Sequence, residues 1–523
     1  LHRFFSPISH LTLPTDNKKS LLITKITENA YIFLGIHYAE SPAGSNRWKL
    51  PIPKTPWNGI LNAVSDKKSC IWKSTPQTDP FIVEMTEDCL YLDVFTSKYC
   101  LKTKNCSVIF FVHGGNFIYS SPHAVNKDFI DNYLTKDRSV ITVIPAYRLG
   151  LFGYFNLTTF KVSDLIAALR WVQEDIKSFG GDANHVTLMG HSSGATDANL
   201  VQLKKFFLLR KKRHKINIFT GTTKHETRST AYTINTDGSV NKVLLQKECL
   251  EMMEAFGIRK PEKALDECTS YYSNGYSMLF YFSLMYVFCS SHIISNLNDQ
   301  RLHSEGGRAF IHEYQYEFAG KAFDYPRQKF DDPHPMHVEH LLYILGHYSG
   351  NFTKTDEIIR KKFSQLIVNF VNNGDPSPRS DHIFQPYNKQ RGNYIAVDMH
   401  ENNDVTVVKY NYHKDKKAFL LLQTFPLHNF FRLGEGIVDT LHKEEAFNSS
   451  GKKLVKRCKL LRFLKLSFFI NYYKSFCYNK CRLFAVQLIS ATLFYSERQY
   501  SLIMSKFFKT QVRFLNLSVV EDL

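Results

Sequence analysis

The segment Gly190-His191-Ser192-Ser193-Gly194 constrains the fold of this chain more than any other. It fits the pattern Gly-x-Ser-x-Gly, in which a serine occupies a sharp turn between a β-strand and an α-helix. Residues 186–189 (VTLM) predict a short buried strand before the turn, and a helix can begin at Ala195. Glycines suit the flanks because larger side chains would collide where strand and helix cross. The segment therefore predicts a strand–turn–helix unit that presents Ser192.

Strands and helices alternate around this segment. The continuous apolar run at 108–112 and the largely apolar run at 139–144 suit strands that are covered on both faces. Residues 163–179 have the apolar spacing of an amphipathic helix. Further elements are predicted as strands at 31–36 and 216–221 and as helices at 248–256 and 355–372. This alternation predicts an α/β fold with a central sheet that helices cover on both sides.

Composition and charge narrow the function classes. The 523 residues are 44% hydrophobic and 22% charged, so the chain can form one large domain with an appendage. The formal net charge is +18, but basic residues are concentrated at 452–513, where Glu497 is the sole acidic residue. No nucleic-acid-binding motif accompanies this charge, and we expect no nucleic-acid partner. Residues 460–470 could form a basic amphipathic helix with weak contact to an anionic membrane, the alternative being sequence without defined structure.

The ten cysteines, the start of the chain and its glycosylation sequons bear on the cellular compartment in which the protein is found. No two cysteines have Cys-x-x-Cys spacing, so we expect no zinc site. The chain starts without a basic and then apolar leader, which indicates a removed signal peptide or an incomplete N-terminus. The longest apolar run, 278–289, is too short to span a bilayer. Glycosylation sequons, which favour secretion slightly, occur at Asn105, Asn156, Asn351, Asn448 and Asn516.

Several segments, in one order along the chain, resemble the type-B carboxylesterase/cholinesterase family of α/β-hydrolases. The segment 87–94 (EDCLYLDV) is highly specific to that family, and 111–117 (FVHGGNF) and 179–182 (FGGD) precede the serine turn in the family's order. The other matching segments are 33–40, 47–51, 147–150, 168–172 and 372–376. The resemblance implies an α/β-hydrolase domain with a mostly parallel sheet over 1–425, and it leaves 426–523 as a basic, aromatic tail of unknown structure.

The resemblance also implies a catalytic triad. Ser192 would be the nucleophile, the alternative being an ordinary turn serine. His337 stands where the family's catalytic histidine precedes a hydrophobic segment that ends in glycine, with His334 and His340 as rivals. Glu226 lies in a segment similar to the loop that presents the family's acid, the alternative being a solvated loop glutamate. The chain order serine, acid, histidine is that of α/β-hydrolases.

An oxyanion hole would use the backbone N–H groups of Gly115, Asn116 and Ser193. Asn116 departs from the family's glycine or alanine, but asparagine adopts some backbone shapes denied to bulkier residues. His191 stands where the family usually has glutamate. We interpret His191 as a buried residue behind the site, because successive residues at a tight turn point in different directions.

Structural pairs follow from the same resemblance. Cys70 and Cys89 match the family's first disulfide loop, which implies an oxidising, secretory compartment, the alternative being two free thiols. Four further residues match two buried ion pairs of the family, Arg47 with Glu87 and Arg148 with Asp164.

Two departures qualify the expected activity. Cholinesterases carry a choline-stacking tryptophan where this chain has Asp79, and Trp72 does not align with that position. A general carboxylesterase acting on a small ester is therefore favoured over a cholinesterase.

The stretch from Ser192 to Glu226 is far shorter than in the family, so the fold is expected to be incomplete behind the serine. The strongly basic segment 201–215 is expected as a loop or exposed helix. No metal or cofactor is implied, and the alternatives are an inactive shortened paralogue or an inactive adhesion protein, although such proteins typically lose the serine.

Overall fold

The computed structural model describes only part of the chain. The residues described are 8–11, 21–27, 30–55, 59–72, 84–135, 138–155, 158–208, 217–224, 239, 241–255, 265–266, 269, 307–317, 319–324, 334–378, 382–388, 390–412 and 511–518. The apolar run 278–289 and most of the expected tail lie outside these residues. Among the helices that are described, none is long and apolar enough to cross a bilayer.

The described strands and helices follow one another along the chain as the alternation predicts. The strands are β1 Ile8–Leu11, β2 Leu21–Ile26, β3 Ala30–His37, β4 Ile60–Ala63, β5 Ser69–Cys70, β6 Met85–Thr86, β7 Tyr91–Ser97, β8 Cys106–Val112, β9 Val140–Pro145, β10 Tyr154–Phe155, β11 Thr158–Thr159, β12 Gly181–His191, β13 Ile218–Thr223, β14 Ala309–Tyr314, β15 Tyr394–Val397, β16 Thr406–Lys409 and β17 Gln511–Ser518. The α-helices are α1 Lys98–Thr103, α2 Lys127–Phe129, α3 Gly150–Gly153, α4 Phe160–Asp175, α5 Ser193–Leu208, α6 Lys242–Ala255, α7 Glu339–Leu345 and α8 Lys354–Asn373.

Thirteen of the described strands form one sheet. Its order is β1-β2-β3-β7-β9-β8-β12-β17-β13-β14-β15-β16, with β4 paired to β2. The pairings from β9 through β15 are all parallel. The strands β1 to β3, β7 and β16 join this centre through antiparallel pairings. The sheet is therefore mixed, and its parallel centre needs the helical crossovers that α4, α5 and α8 supply.

The parallel centre is buried on both faces. Along β8, Val108, Phe110 and Val112 belong to one apolar cluster, and Ile109 and Phe111 belong to the other. This alternation follows from the two-residue period of a strand. The helices α4 and α5 cover the first face, and α7 and α8 cover the second. A strand that is covered on both sides reads as a continuous apolar run, which is why β8 could be predicted.

The helix α8 shows how local sequence sets the ends of an element. Thr353 and Asp356 form a reciprocal capping box at its start, in which each side chain accepts a hydrogen bond from the other residue's backbone N–H. Gly374 ends the helix in a left-handed conformation, with φ of 68°. The helix predicted at 355–372 is therefore confirmed with one more residue at each end.

The strand β17 comes from the segment that the sequence left as a tail. It lies between β12 and β13, with His185 opposite Gln511 and Ile218 opposite Phe514. The sheet position directly behind β12 is thus filled by residues from 511–518. The expectation that the fold is incomplete behind the serine turn stays a prediction, because residues 209–216 lie outside those that the structure describes.

Candidate active site

The predicted strand–turn–helix unit around Ser192 is present. β12 ends one residue before Ser192 and α5 begins one residue after it, and Ser192 itself has a φ of 53°. A Cβ on Gly190 would lie 2.6 Å from the Cα of Ala195, and a Cβ on Gly194 would lie 2.3 Å from the carbonyl oxygen of His113. Both glycines are therefore required by close backbone contacts, and the serine occupies a strained backbone conformation.

A loop with an unusual backbone passes directly against this turn. A Cβ on Gly114 would lie 2.9 Å from the Cβ of Ser192. The next three residues all have left-handed backbone, with φ of 108° at Gly115, 55° at Asn116 and 62° at Phe117. The expectation that asparagine can adopt an unusual backbone at 116 therefore agrees with its conformation.

The loop is held to the turn at two points. Gly114 contacts Ser192, and the N–H of Phe117 donates to the Oγ of Ser193 over 3.0 Å. The two residues between these contacts are Gly115 and Asn116, which the sequence nominates as oxyanion donors. The three nominated residues thus lie in two segments that touch at the nucleophile.

His337 lies beside the serine turn. Its buried ring stacks on the ring of His191, with centroids 4.8 Å and planes 28° apart. Of the two rival histidines, His334 is about one-third exposed and lies 3.5 Å from a carboxylate oxygen of Glu317. His340 is fully buried, and its ring centroid is 5.2 Å from that of His191. The buried position of His191 agrees with its interpretation as a residue behind the site.

The backbone around His337 is fixed by a residue that the sequence reasoning missed. Val338 has a φ of 79°, a strained value for a β-branched residue. Buried Glu339 accepts hydrogen bonds from the hydroxyl of Tyr314 at 3.0 Å and from the backbone N–H of Met336 at 3.3 Å. These bonds cross-link β14 to the turn that carries His337. The signal in the sequence was an acidic residue two positions after the histidine, inside an otherwise apolar segment.

The acid predicted at Glu226 lies outside the described residues. The described chain reaches Lys224, whose backbone N–H donates to the carbonyl oxygen of Tyr314 over 2.8 Å. Tyr314 in turn bonds Glu339 beside His337. The last described residue of this segment, Lys224, therefore lies beside the tyrosine that bonds Glu339.

Burial disfavours the charged form of the two histidines that lie beside His337. Burial lowers the pKa of His191 well below its ordinary value of 6.5, and the nearby His337 and His340 lower it further. Burial has the same effect on the pKa of His340. Burial also lowers the pKa of three more histidines, to about 4 for His113 and His347 and to about 3 for His312.

In the part of the chain that the structure describes, no three His, Cys, Asp or Glu side chains converge as metal ligands would.

Two disulfide bonds join cysteines that both lie among the residues the structure describes. One joins Cys70 to Cys89, the pair nominated from the sequence, with Cα atoms 5.0 Å apart. The other joins Cys100 to Cys106, a pairing that the sequence left open. Both bonds close short segments, of 19 and 6 residues.

The two nominated ion pairs differ in burial. The guanidinium of Arg148 donates two hydrogen bonds, of 2.8 and 2.6 Å, to the carboxylate of Asp164, and both side chains are buried. A third donor of Arg148 bonds the carbonyl oxygen of Lys49 over 2.9 Å. Arg47 and Glu87 also pair, at 2.5 and 2.6 Å, but the Arg47 side chain is 41% exposed. The expectation of a buried pair is therefore wrong for Arg47 and Glu87, because the loop that carries Arg47 lies at the surface.

A third ion pair, between Lys161 and Asp197, was not foreseen. Its nitrogen and oxygen are 2.8 Å apart, and both side chains are fully buried. Burial raises the pKa of Asp197 to about 6, while the positive charge of Lys161 opposes that shift. The Lys161 ammonium also lies 3.3 Å from the ring centroid of Phe117, in the loop that follows Gly114.

The chain matches the model of the carboxylesterase family over residues 20–207 and 197–420. The two matched segments meet at 197–207, close behind Ser192. Together they cover well over half of the chain.

Curated relatives match a shorter part of the chain. It is 37% identical over 174 residues to a juvenile hormone esterase of Tribolium castaneum, covering 32% of this chain and 29% of that protein. It is 30% identical over 201 residues to carboxylesterase 1E of Mus musculus, covering 35% of each chain. It is 33% identical over 185 residues to acetylcholinesterase 1 of Caenorhabditis elegans, covering 33% of this chain and 30% of that protein. The matched part of the chain thus spans about a third of the length of these relatives.

Proposed function

The chain belongs to the carboxylesterase family, and on that premise we propose that it is a serine esterase that cleaves small carboxylic esters through an acyl-enzyme intermediate. The observation that carries the proposal is the conformation of Ser192. A serine at φ of 53° between β12 and α5, with Gly114 close to it, has the backbone conformation expected for a nucleophile at a strand-to-helix turn, and this supports the proposal.

The proposed reaction assigns one role to each residue. His337 removes the proton from the Oγ of Ser192, which attacks the ester carbonyl carbon. The N–H groups of Gly115, Asn116 and Ser193 stabilise the oxyanion of the tetrahedral intermediate. The intermediate collapses, and His337 returns the proton to the departing alcohol.

The second half of the reaction repeats this sequence with water. His337 takes a proton from a water molecule, which attacks the acyl-enzyme carbonyl. Collapse of the second tetrahedral intermediate frees the carboxylic acid and returns the proton to Ser192. Glu226 would orient the imidazole of His337 and stabilise its protonated form.

Covalent labelling tests the proposal directly. We expect a fluorophosphonate probe to label the folded wild-type chain, and we expect Ser192→Ala to abolish labelling and ester hydrolysis. His337→Gln and Glu226→Gln should each slow labelling, by about 10³-fold or more for His337. Ser163→Ala, a buried serine on α4 outside the site, is the matched control and should label normally. A folded wild-type chain that resists the probe would contradict the proposal and favour an inactive binding protein or shortened paralogue.

We also propose that the chain passes through the secretory pathway. The disulfides Cys70–Cys89 and Cys100–Cys106 support this, because such bonds persist in oxidising compartments. Asn105 and Asn351, both in glycosylation sequons, are exposed. A glycosidase-sensitive mass shift after secretory expression, reduced in Asn105→Gln/Asn351→Gln, is the expected result.

The organisation of the chain is a further part of the proposal. The α/β-hydrolase domain would span 1–425, and the basic tail 426–523 would contribute β17 to its sheet. Any contact of the tail with anionic membranes would be weak and salt-dependent. Co-sedimentation with vesicles that contain phosphatidylserine, compared at low and high salt, tests it.

A further inference from the structure

The loop beside the nucleophile is strained at two successive residues that carry side chains. Asn116 and Phe117 have φ of 55° and 62°. Left-handed backbone is disfavoured for residues with a Cβ, and such strain persists only where surrounding contacts hold it. The contacts of Phe117 therefore determine the shape of the loop that contains two proposed oxyanion donors.

The backbone of Phe117 is held from both sides. Its N–H donates to the hydroxyl of Ser193 at 3.0 Å, and its carbonyl oxygen accepts from the N–H of Gly150 at 2.9 Å. The side chain of Ser193 is fully buried, so no water competes for this hydrogen bond. Ser193 is the first residue of α5 and directly follows the nucleophile.

The ring of Phe117 is held by a buried cation. The ammonium of Lys161, on α4, lies 3.3 Å from the ring centroid. A cation that is shielded from water interacts strongly with an aromatic face. Lys161 is fixed in turn by Asp197, 2.8 Å away. Asp197 is four residues after Ser193 on α5, so the two side chains lie on the same face of that helix, one turn apart.

We propose that Ser193, Asp197 and Lys161 are positioning residues that clamp Phe117 and so hold the oxyanion loop in its reactive shape. This inference rests on the proposed esterase function. It gives the hydroxyl of Ser193 a role separate from that of its backbone N–H. Because Ser193 and Asp197 share one helix face, α5 controls both the backbone and the ring of Phe117.

Substitutions in the ion pair can distinguish this positioning role from an effect on the stability of the fold alone. Removing one partner of a buried pair leaves an isolated charge and destabilises a protein strongly. Replacing both partners by apolar residues of similar size is often neutral for stability. The double variant Lys161→Met/Asp197→Leu therefore removes the cation beneath Phe117 without leaving an unpaired buried charge.

The test compares Ser193→Ala and Lys161→Met/Asp197→Leu with the wild-type full chain. We expect kcat for p-nitrophenyl esters to fall about five- to tenfold in each, as for the loss of one ordinary interaction in the reactive geometry, with KM within about twofold. Hydrogen–deuterium exchange in a peptide containing the Phe117 amide should accelerate in both, about tenfold or more in Ser193→Ala. Thr196→Ala on α5 and Ser163→Ala on α4, outside the clamp, are matched controls that should keep both values.

Each outcome decides the inference. If the wild-type chain hydrolyses esters while both clamp variants keep its kcat and exchange rate, the clamp is wrong and the proposed function stands. If the wild-type chain is inert to the fluorophosphonate probe, the proposed function fails, and exchange at Phe117 alone then supports or overturns the clamp. If the double variant does not fold, Ser193→Ala decides, since it removes only a hydroxyl oxygen.

Discussion

The imidazole ring of His337 lies stacked on that of His191, with centroids 4.8 Å apart. His191 is the last residue of β12, directly before Ser192, and His337 lies two residues before α7. The stack therefore connects the proposed base to the turn that carries the proposed nucleophile. Since burial keeps His191 neutral, an imidazolium that forms on His337 faces an uncharged ring.

The first prediction concerns the charge beside His337. We expect His191→Glu to move the acid limb of the kcat/KM profile, measured between about pH 5 and 9, to higher pH, because a carboxylate beside His337 favours its imidazolium form. His191→Gln, which adds no charge, should leave the limb in place. An unmoved limb in the glutamate variant would show that the two rings are not coupled.

The second prediction concerns stability and pH. Burial lowers the pKa of His312 from 6.5 to about 3, so this ring is neutral in the folded chain and takes up a proton on unfolding in mild acid. The stability it contributes is fully present above pH 6.5 and is lost as the pH falls toward its folded pKa. His113 and His347, with pKa values of about 4, act in the same direction.

The free energy of unfolding should therefore fall between about pH 7.5 and 5.5, with His312 accounting for about 1 kcal/mol of the change. We expect His312→Leu to remove that share in urea titrations at the two pH values. Phe363→Leu, which alters a ring that packs edge-on against His312, is the control without a titrating group. An equal pH dependence in the wild-type chain and His312→Leu would contradict the assignment.

The third prediction contrasts the two nominated ion pairs. Asp164→Asn leaves the buried guanidinium of Arg148 without its anion, and we expect a loss of about 3–5 kcal/mol in the free energy of unfolding. Glu87→Gln makes the same chemical change opposite the exposed Arg47 and should cost far less. Thermal unfolding of the two variants gives the comparison. Similar losses would mean that burial does not set the strength of these pairs.

The fourth prediction concerns the disulfides. Cys70→Ala/Cys89→Ala opens a loop of 19 residues and should lower stability by roughly 3 kcal/mol through unfolded-state entropy. Cys100→Ala/Cys106→Ala opens a loop of 6 residues, and the expected loss is roughly 2 kcal/mol. Chemical denaturation of both variants under non-reducing conditions checks the order. The reverse order would indicate that native packing outweighs loop length.

Local patterns were sufficient to predict β8, β9, β12 and β13 in the parallel centre, but not β14, β15 and β17. The apolar run 108–112 located β8, and the helix predicted at 163–179 is present as α4 followed by a tight turn at Ile176–Phe179. Their ends depend on tertiary contacts. β12 starts at Gly181, well before its apolar run, because Gly181 pairs with Cys106. α4 starts three residues earlier than predicted and includes Lys161, a charge that burial would exclude without its partner.

The residues of the site also fall into two groups, those that a local segment predicts and those that depend on tertiary contacts. Ser192 and His337 could be nominated because each lies in a distinctive local segment. The pairing of Lys161 with Asp197 could not, since it depends on how α4 packs against α5. The exposure of Arg47 was missed for a related reason, because a motif identifies the partner of a side chain but not its depth in the fold.

The strand β17 has a consequence for how the chain reaches its folded state. In the sheet, His185 of β12 pairs with Gln511 of β17, and Ile218 of β13 pairs with Phe514 of β17. Strands that are neighbours in the sheet therefore come from distant parts of the sequence. Contacts between such distant residues form slowly because a long loop must close first. During synthesis, β12 and β13 therefore present open edges beside the nucleophile until residues 511–518 emerge. Open strand edges can pair with other chains, so we expect aggregation to be favoured at this stage of synthesis.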